Sequence, residues 1–428
     1  MLMNDVLVRE SRHLIRGHQQ IWEKSGLAIE RGKGATLWDD TGRGYLDLWA
    51  GGGVCSIGHG HPEFTKIVSA QLGKLIVGSH PSAVRAAYVS ELAALVPRPL
   101  GNMQLYTSGA EAVEAALRLA RSYTGKSTFL SFEGSFHGKT LGALSLGDWS
   151  ERRAYGPLAP GFEIAPYPVA GPLLRAHEDE APGVEACLLA AERLVTQARG
   201  QLAGVVVEPV QGTAGNHFPA AGFLRGLRQL ADESHALLIF DEIITGFGRT
   251  GRLFRSGLDA VTPDIMIIGK GMGNGIPVSG IVTTAEIGCA LPFAGPSGSS
   301  SSYGGNPLSA AAAGATLQIL SQELLVDNAL RVGEGLRQRL AAGLEGNPLV
   351  RGPWGEGLMI GLELIDPASG RHLVRTECER IFRALLERGI LVAAYTPTIR
   401  INPPLCLTDS EATFAAEAIA SVLVTHDV

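Results

Sequence analysis

From residue 104 onward, short apolar runs alternate along the chain with longer segments of helical periodicity. The runs fall at residues 104–106, 128–132, 205–207, 237–240, 265–268 and 280–283. Strands that alternate with helices predict an α/β fold whose mostly parallel sheet is covered by helices on both faces. Upstream, apolar stretches at 35–38 and 45–49 flank the turn Asp39-Asp40-Thr41-Gly42, the pattern of a β-hairpin. Residues 147–185, rich in Gly, Pro and charge, read as an irregular excursion over the surface. The stretch GPSGSSSSYGGNP at 295–307 reads as a loop, and its continuation LSAAAAGATLQIL as a helix leading into a second unit. There, an amphipathic segment at 328–344, a strand at 358–364, a helix at 377–388 and a sheet edge at 390–393 make a smaller α+β unit. The sequence shows no internal repeat.

Composition narrows the class of partner. The 428 residues are 45% hydrophobic and 18% charged, ordinary values for a globular protein. The net charge is −6 and no basic run tracks nucleic acid or an anionic membrane, so neither is an expected partner. Five cysteines, an odd number with no CxxC pair, give no disulfide framework and no metal knuckle. The start, MLMNDVLVRESRHLIRGHQQ, breaks its apolar residues with Asp5, Arg9 and Glu10, unlike a signal peptide, and no 18 consecutive residues are apolar. A cytoplasmic location is expected.

Ligands of open α/β sheets bind beyond the carboxyl ends of the strands, and that is where this chain puts its conspicuous polar residues. Ser108-Gly109-Ala110-Glu111 follows the run at 104–106 and opens a helix over 112–123. Free backbone N–H groups there suit an anion such as phosphate, although Ser108 could equally be a plain N-cap. Phe136 and His137 follow the next run, Glu208-Pro209-Val210-Gln211-Gly212 the third, and Asp241 the fourth. Lys270 follows the apolar run IMIIG. A desolvated lysine there has a depressed pKa and becomes a nucleophile able to form a Schiff base; a lysine snorkelling at a strand end is the plainer alternative.

An anion cradle, an aromatic plate, a buried carboxylate and an amine on neighbouring strand ends are the parts that hold pyridoxal phosphate. At this point the chain resembles the class III, or ω-, aminotransferases of the fold type I pyridoxal-phosphate enzymes. The matching stretches run from GHGHP (58–62) through SGAEAVEAALRLAR (108–121), SFHGKTLGALSL (135–146), EPVQG (208–212), DEIITGFGRTG (241–251), PDIMIIGKGMGNGIPVSG (263–280) and YGGNPLSAAAA (303–313) to RINPPL (400–405). The resemblance implies a homodimer with shared active sites and a ping-pong transfer of an amino group from an amine or amino acid to a 2-oxo acid, pyruvate or 2-oxoglutarate. It makes Lys270 the lysine that bonds the cofactor and shuttles protons, and Asp241 the partner of the pyridine nitrogen. Ile243 and Phe136 flank the ring, with His137 and Glu208 beside it. Gly109 and Ala110 bind phosphate through their N–H groups, with Ser108 at the cradle. Ser302 stands where the family reaches the neighbouring subunit's phosphate with a Thr. Arg400 takes a substrate carboxylate unless it is spent in a structural ion pair, and Trp49 lines the substrate pocket. The implied organisation is an N-terminal segment 1–54 joined to the small domain and the site's rim, a large cofactor-binding domain over 55–315, and a small C-terminal domain over 316–428.

Three departures from the family pattern matter. Ile244 stands where many members carry a Gln near the cofactor's phenolic oxygen, a role Gln211 could take. Thr213 stands where members that alternate between ω-amino donors and 2-oxoglutarate often carry a Glu able to pair with the arginine. His59 and His61 have a spacing a metal could use but no third ligand nearby, so no metal is expected. Pocket walls are expected from residues 49–55 and from around Trp149. The same scaffold hosts racemases, an aminomutase and a decarboxylase, and an assembly protein with a decayed site is a more distant alternative.

Overall fold

The computed structural model describes residues 5–15, 25–78, 80–148, 150–170 and 182–426. Trp149 and part of the expected excursion lie outside the described residues. Among the described residues the strands form three sheets. The first holds β1 (Ile29–Lys33), β2 (Thr36–Asp39) and β3 (Gly44–Asp47). The central sheet holds β4 (Asn102–Tyr106), β5 (Thr128–Phe132), β6 (Phe162–Ala165), β7 (Leu202–Val207), β8 (Leu237–Asp241), β9 (Ile265–Ile268) and β10 (Ser279–Thr283). The last third of the chain supplies β11 (Val350–Glu356), β12 (Met359–Leu364), β13 (Ile390–Leu391) and β14 (Thr398–Ile401).

The central, seven-stranded sheet has the order β4-β10-β9-β8-β7-β5-β6. All its pairings are parallel except those of β10, which runs antiparallel to both β4 and β9. Every residue of β7, β8 and β9 is buried, because helices cover both faces. Each fully buried Val, Leu, Ile or Phe contributes about 1.5–3 kcal/mol, so these three strands are the most firmly placed part of the fold. The helix Gly109–Thr124 shows the same logic locally. It buries Ala112, Val113, Ala116, Leu119 and Ala120 on one stripe, starts at the Ser108 cap and stops at Gly125, whose φ of 68° closes the last turn.

β13 pairs in parallel with β3, so the N-terminal strands share a sheet with the last third of the chain. β11, β12 and β14 form the third sheet, with Gly361 opposite Arg400. The smaller α+β layer is therefore built from both ends of the chain. The irregular excursion expected over 147–185 is corrected in part: Phe162–Ala165 is strand β6, paired in parallel with β5. Its four residues are too few to show periodicity. The closing helix Asp409–Val424 carries a full capping box between Thr408 and Glu411.

Candidate active site

The carboxyl ends of five strands open on one cavity of about 210 Å³. Gly109 and Ala110 reach it from β4, and Phe136, His137 and Gly138 from β5. Glu208 and Thr213 reach it from β7, Asp241, Ile243 and Ile244 from β8, and Lys270 from β9.

Asp241 ends β8 as a buried carboxylate held on both oxygens. His137 Nδ1 lies 2.7 Å from Oδ2, and the Ile243 N–H donates to Oδ1 at 3.1 Å. Burial disfavours the His137 imidazolium, but the hydrogen bond to Asp241 and the charges of Asp241 and Glu208 outweigh it and raise its pKa. His137 Nε2 is buried without a partner among the described residues, so this wall carries one unused polar atom. The neighbouring Glu242 is structural. It receives the Arg255 N–H at 2.7 Å, the Ser256 N–H at 2.6 Å and the Thr245 hydroxyl at 2.8 Å, pinning the glycine-rich turn that follows.

Glu208 joins two other strand exits, accepting from the Phe136 N–H at 2.9 Å and the Gly212 N–H at 3.1 Å. Burial pushes its carboxyl up to about 7, against the pull of His137 and the two N–H donors. Lys270 stands at φ 44°, in the left-handed region few residues with a side chain adopt. A 3-10 turn secures it, with the Gly273 N–H on the Lys270 carbonyl at 3.2 Å. Burial lowers its amine pKa; Asp241 and Glu208 oppose that shift, while Arg400 and Arg249 reinforce it.

The anion cradle is formed by the first turn of the helix Gly109–Thr124, whose N–H groups have no intrahelical acceptor. Ser108 Oγ is the N-cap, accepting from the Glu111 N–H at 3.2 Å, while Gly109 and Ala110 line the cavity. Space there is tight: a Cβ on Gly109 would lie 2.8 Å from Ile243 Cδ1, and one on Gly138 2.7 Å from Ala110 Cβ. Glu111 binds the cradle to a distant loop, accepting from the Thr107 N–H at 3.0 Å and the Ser301 hydroxyl at 2.7 Å. N–H donors at one end, a buried carboxylate at another, apolar Ile243 and Phe136 on the walls and an amine of lowered pKa fit a phosphorylated pyridine aldehyde.

Arg400 is buried on β14 and lies beside this cavity without lining it. Its guanidinium carbon is 4.9 Å from the centre of the Trp49 ring and next to Tyr395. Among the described residues it has no salt bridge, so the ion-pair alternative has no support. Trp49 is itself fixed, because Asp47 Oδ1 accepts from the Trp49 and Ala50 N–H groups at 2.9 and 2.7 Å. A further clamp holds the Thr213 turn, Gly212–Gly215, to the third sheet. Asn216 Nδ2 donates to the Ile360 carbonyl at 2.8 Å and to Asn402 Oδ1 at 3.0 Å, and Trp354 Nε1 donates to the Asn216 carbonyl at 2.8 Å.

Most of the other candidates lie apart from the cavity. Gln211 Nε2 donates to the Glu133 carbonyl at 2.8 Å, while Ile244 lines the wall. Ser302 is exposed on its loop. His59 pairs with Asp47 at 2.8 Å and His61 with Glu323 at 2.9 Å, two separate partners, and no metal-binding cluster of three or more His, Cys, Asp or Glu occurs among the described residues. Sequence reasoning missed Tyr395, Asp47, Asn216 and Asn402. Only the Thr396-Pro397 turn, which sets Ala393 opposite Arg400, hinted at Tyr395.

The model of the class-III aminotransferase family matches residues 19–423. Acetylornithine aminotransferase of Methanothermobacter thermautotrophicus is 35% identical over 94% of this chain and 95% of its own. An (S)-enantioselective omega-transaminase from Thermomicrobium roseum superposes with a TM-score of 0.89 at 30% identity over 98% of both chains. An amine transaminase from an uncultivated Pseudomonas species, solved in its PLP-bound form, gives a TM-score of 0.87 at 29% identity over 93% of this chain and 94% of its own.

Proposed function

Since the chain belongs to the class III aminotransferase family, we propose that its amino transfer is carried by Lys270 and Asp241 at the cavity where β8 and β9 end. The relatives named above are transaminases, so the reaction is transfer of an amino group and not the racemisation, mutase chemistry or decarboxylation the sequence alone left open. The cofactor is pyridoxal phosphate. When bound, it supplies an electron-accepting ring and an aldehyde carbon that takes up the amino nitrogen.

The protein's part is binding, orientation and proton movement. The Gly109 and Ala110 N–H groups take the phosphate, where the helix start favours negative charge. Ile243 and Phe136, which line the cavity, would hold the ring between them. Asp241, held in place by His137 and the Ile243 N–H, would accept from the ring nitrogen and keep a proton there. Lys270 Nζ would hold the group at its aldehyde carbon, and the free amine, its pKa lowered by burial, would take the proton from the donor's α-carbon and hand it to the former aldehyde carbon. Arg400 takes the carboxylate of the 2-oxo acid through its planar fork.

A homodimer completes this reading. Leu72, Leu75, Ile76, Val77 and Tyr303 are exposed, and Arg85 ties their two segments together through the His80 carbonyl at 2.9 Å and the Gly305 carbonyl at 3.2 Å. On this reading Ser302 of each chain would reach the other's cradle, and sedimentation should give twice the chain mass.

The observation that carries the proposal is the Asp241 carboxylate and the Lys270 amine facing one cavity from adjacent strand ends. Donor alone should convert the bound cofactor in a single stoichiometric half-reaction, and a 2-oxo acid should restore the starting spectrum. Steady turnover of the donor without an oxo acid would contradict it.

A further inference from the structure

The segment between Leu48 and Ser56 is pinned at both ends and coils left-handed in between. The Asn402 N–H donates to the Leu48 carbonyl at 2.8 Å and the Leu405 N–H to the Ser56 carbonyl at 2.7 Å, so both ends lie against the chain that leaves β14. Between them Ala50, Gly51, Gly52 and Gly53 stand at φ 49°, 65°, 79° and 83°, the longest left-handed run among the described residues. It is one turn of left-handed helix, with the Gly53 N–H on the Trp49 carbonyl at 3.1 Å and the Val54 N–H on the Ala50 carbonyl at 2.8 Å. Glycine adopts that hand without a steric penalty, but Ala50, which is buried, has to be held in it.

Asp47 holds it. Its Oδ1 takes the N–H groups of Trp49 and Ala50, the two donors that enter the turn, and its Oδ2 lies 2.8 Å from His59 Nε2. A carboxylate accepts, so Nε2 carries the proton of that bond. The His59 backbone is itself fixed, exchanging N–H bonds with Gly34 at 2.9 Å in each direction. The turn separates two walls. A Cβ on Gly52 would lie 3.3 Å from the Trp49 ring, and one on Gly53 3.5 Å from Cγ1 of Ile244, which lines the cavity.

We propose that His59 is a positioning residue that limits the bulk of the amino donor: by fixing Asp47 it keeps the Ala50–Gly53 turn left-handed, and through that turn it keeps Trp49 and Ile244 in place. The inference rests on the transaminase reading above and adds a determinant of its specificity. Without the His59 proton, Asp47 is a buried acceptor short of a donor, and it moves or admits water to find one. Either response weakens its hold on the Trp49 and Ala50 N–H groups. Ala50 then relaxes from the left-handed region, and the Ile244 wall loses its backing.

The test uses purified holoenzyme and donor half-reactions followed by the cofactor's absorbance. Donors are compared in pairs that differ in bulk alone, such as L-alanine with L-phenylalanine and 2-aminobutane with 1-phenylethylamine. His59→Leu, which cannot donate, should raise the bulky-to-small ratio of kcat/KM about tenfold, the scale on which a pocket wall discriminates by size. His59→Gln places an amide N–H where Nε2 stands and should keep the ratio within about twofold of wild type. General damage to the fold would lower both members of a pair alike and leave the ratio where it was. His59→Asn, one carbon too short to reach Asp47, carries the same expectation as His59→Leu and replaces it if leucine prevents folding. An unchanged ratio in the leucine and asparagine variants, or a shift in His59→Gln as large as theirs, overturns the proposal, while turnover by the wild type leaves the functional reading standing. A wild type silent toward every donor overturns both.

Discussion

His137 Nδ1 stands 2.7 Å from Asp241 Oδ2, with both side chains buried at the end of the sheet. The histidine is thus a support for the carboxylate, and it makes stability depend on pH. Its pKa is raised because the hydrogen bond and the charges of Asp241 and Glu208 overcome the effect of burial. Its contribution is therefore complete below the unfolded value of about 6.5 and is lost as pH rises through the folded value. Glu208, pushed up to about 7 by burial, adds to the same fall, because the native state keeps a proton that the unfolded chain releases above about 4.3. In urea melts of cofactor-free protein, the stability gap between wild type and His137→Gln should be widest at acid pH and narrow toward alkaline pH. A constant gap would mean that His137 titrates alike in the folded and the unfolded chain.

Asp241→Asn keeps the shape and the Ile243 contact but removes the charge that holds the ring nitrogen protonated. Turnover should fall about a thousandfold, in the range seen when a single preorganised electrostatic group is lost, while cofactor affinity falls far less. Near-normal turnover would place control of the ring in another residue.

Gly109→Ala places a methyl 2.8 Å from Ile243 Cδ1, the far end of a flexible side chain. The fold can give way there, so the melting temperature of the cofactor-free protein should stay within about 3 °C. The displaced methyl and the altered cradle should weaken pyridoxal-phosphate binding about tenfold, or about 1.4 kcal/mol, by titration. Unchanged affinity would separate this glycine from the cradle.

What was legible in the sequence follows from where burial is two-sided. β9, and β8 up to Asp241, are apolar at every position because helices cover both faces, so their ends, and with them Asp241 and Lys270, could be located from pattern alone. The Gly109–Thr124 helix showed its start through Ser108. Other parts depend on residues far apart in the chain. Asn216 meets Asn402 across 186 positions, and no local pattern marks either residue. Tyr395 acquires its role only because β14 returns Arg400 beside it. β6 escaped notice for a different reason, as four residues, FEIA, inside a polar stretch.

The central claim is that Lys270 is the amine that bonds the cofactor, and borohydride reduction of the resting holoenzyme followed by peptide mapping tests it most directly. Reduction should fix the cofactor on the peptide containing Lys270, and Lys270→Ala should bind pyridoxal phosphate without covalent trapping and lose nearly all turnover. Recovery of the label on Lys139, or undiminished trapping in Lys270→Ala, would contradict the account.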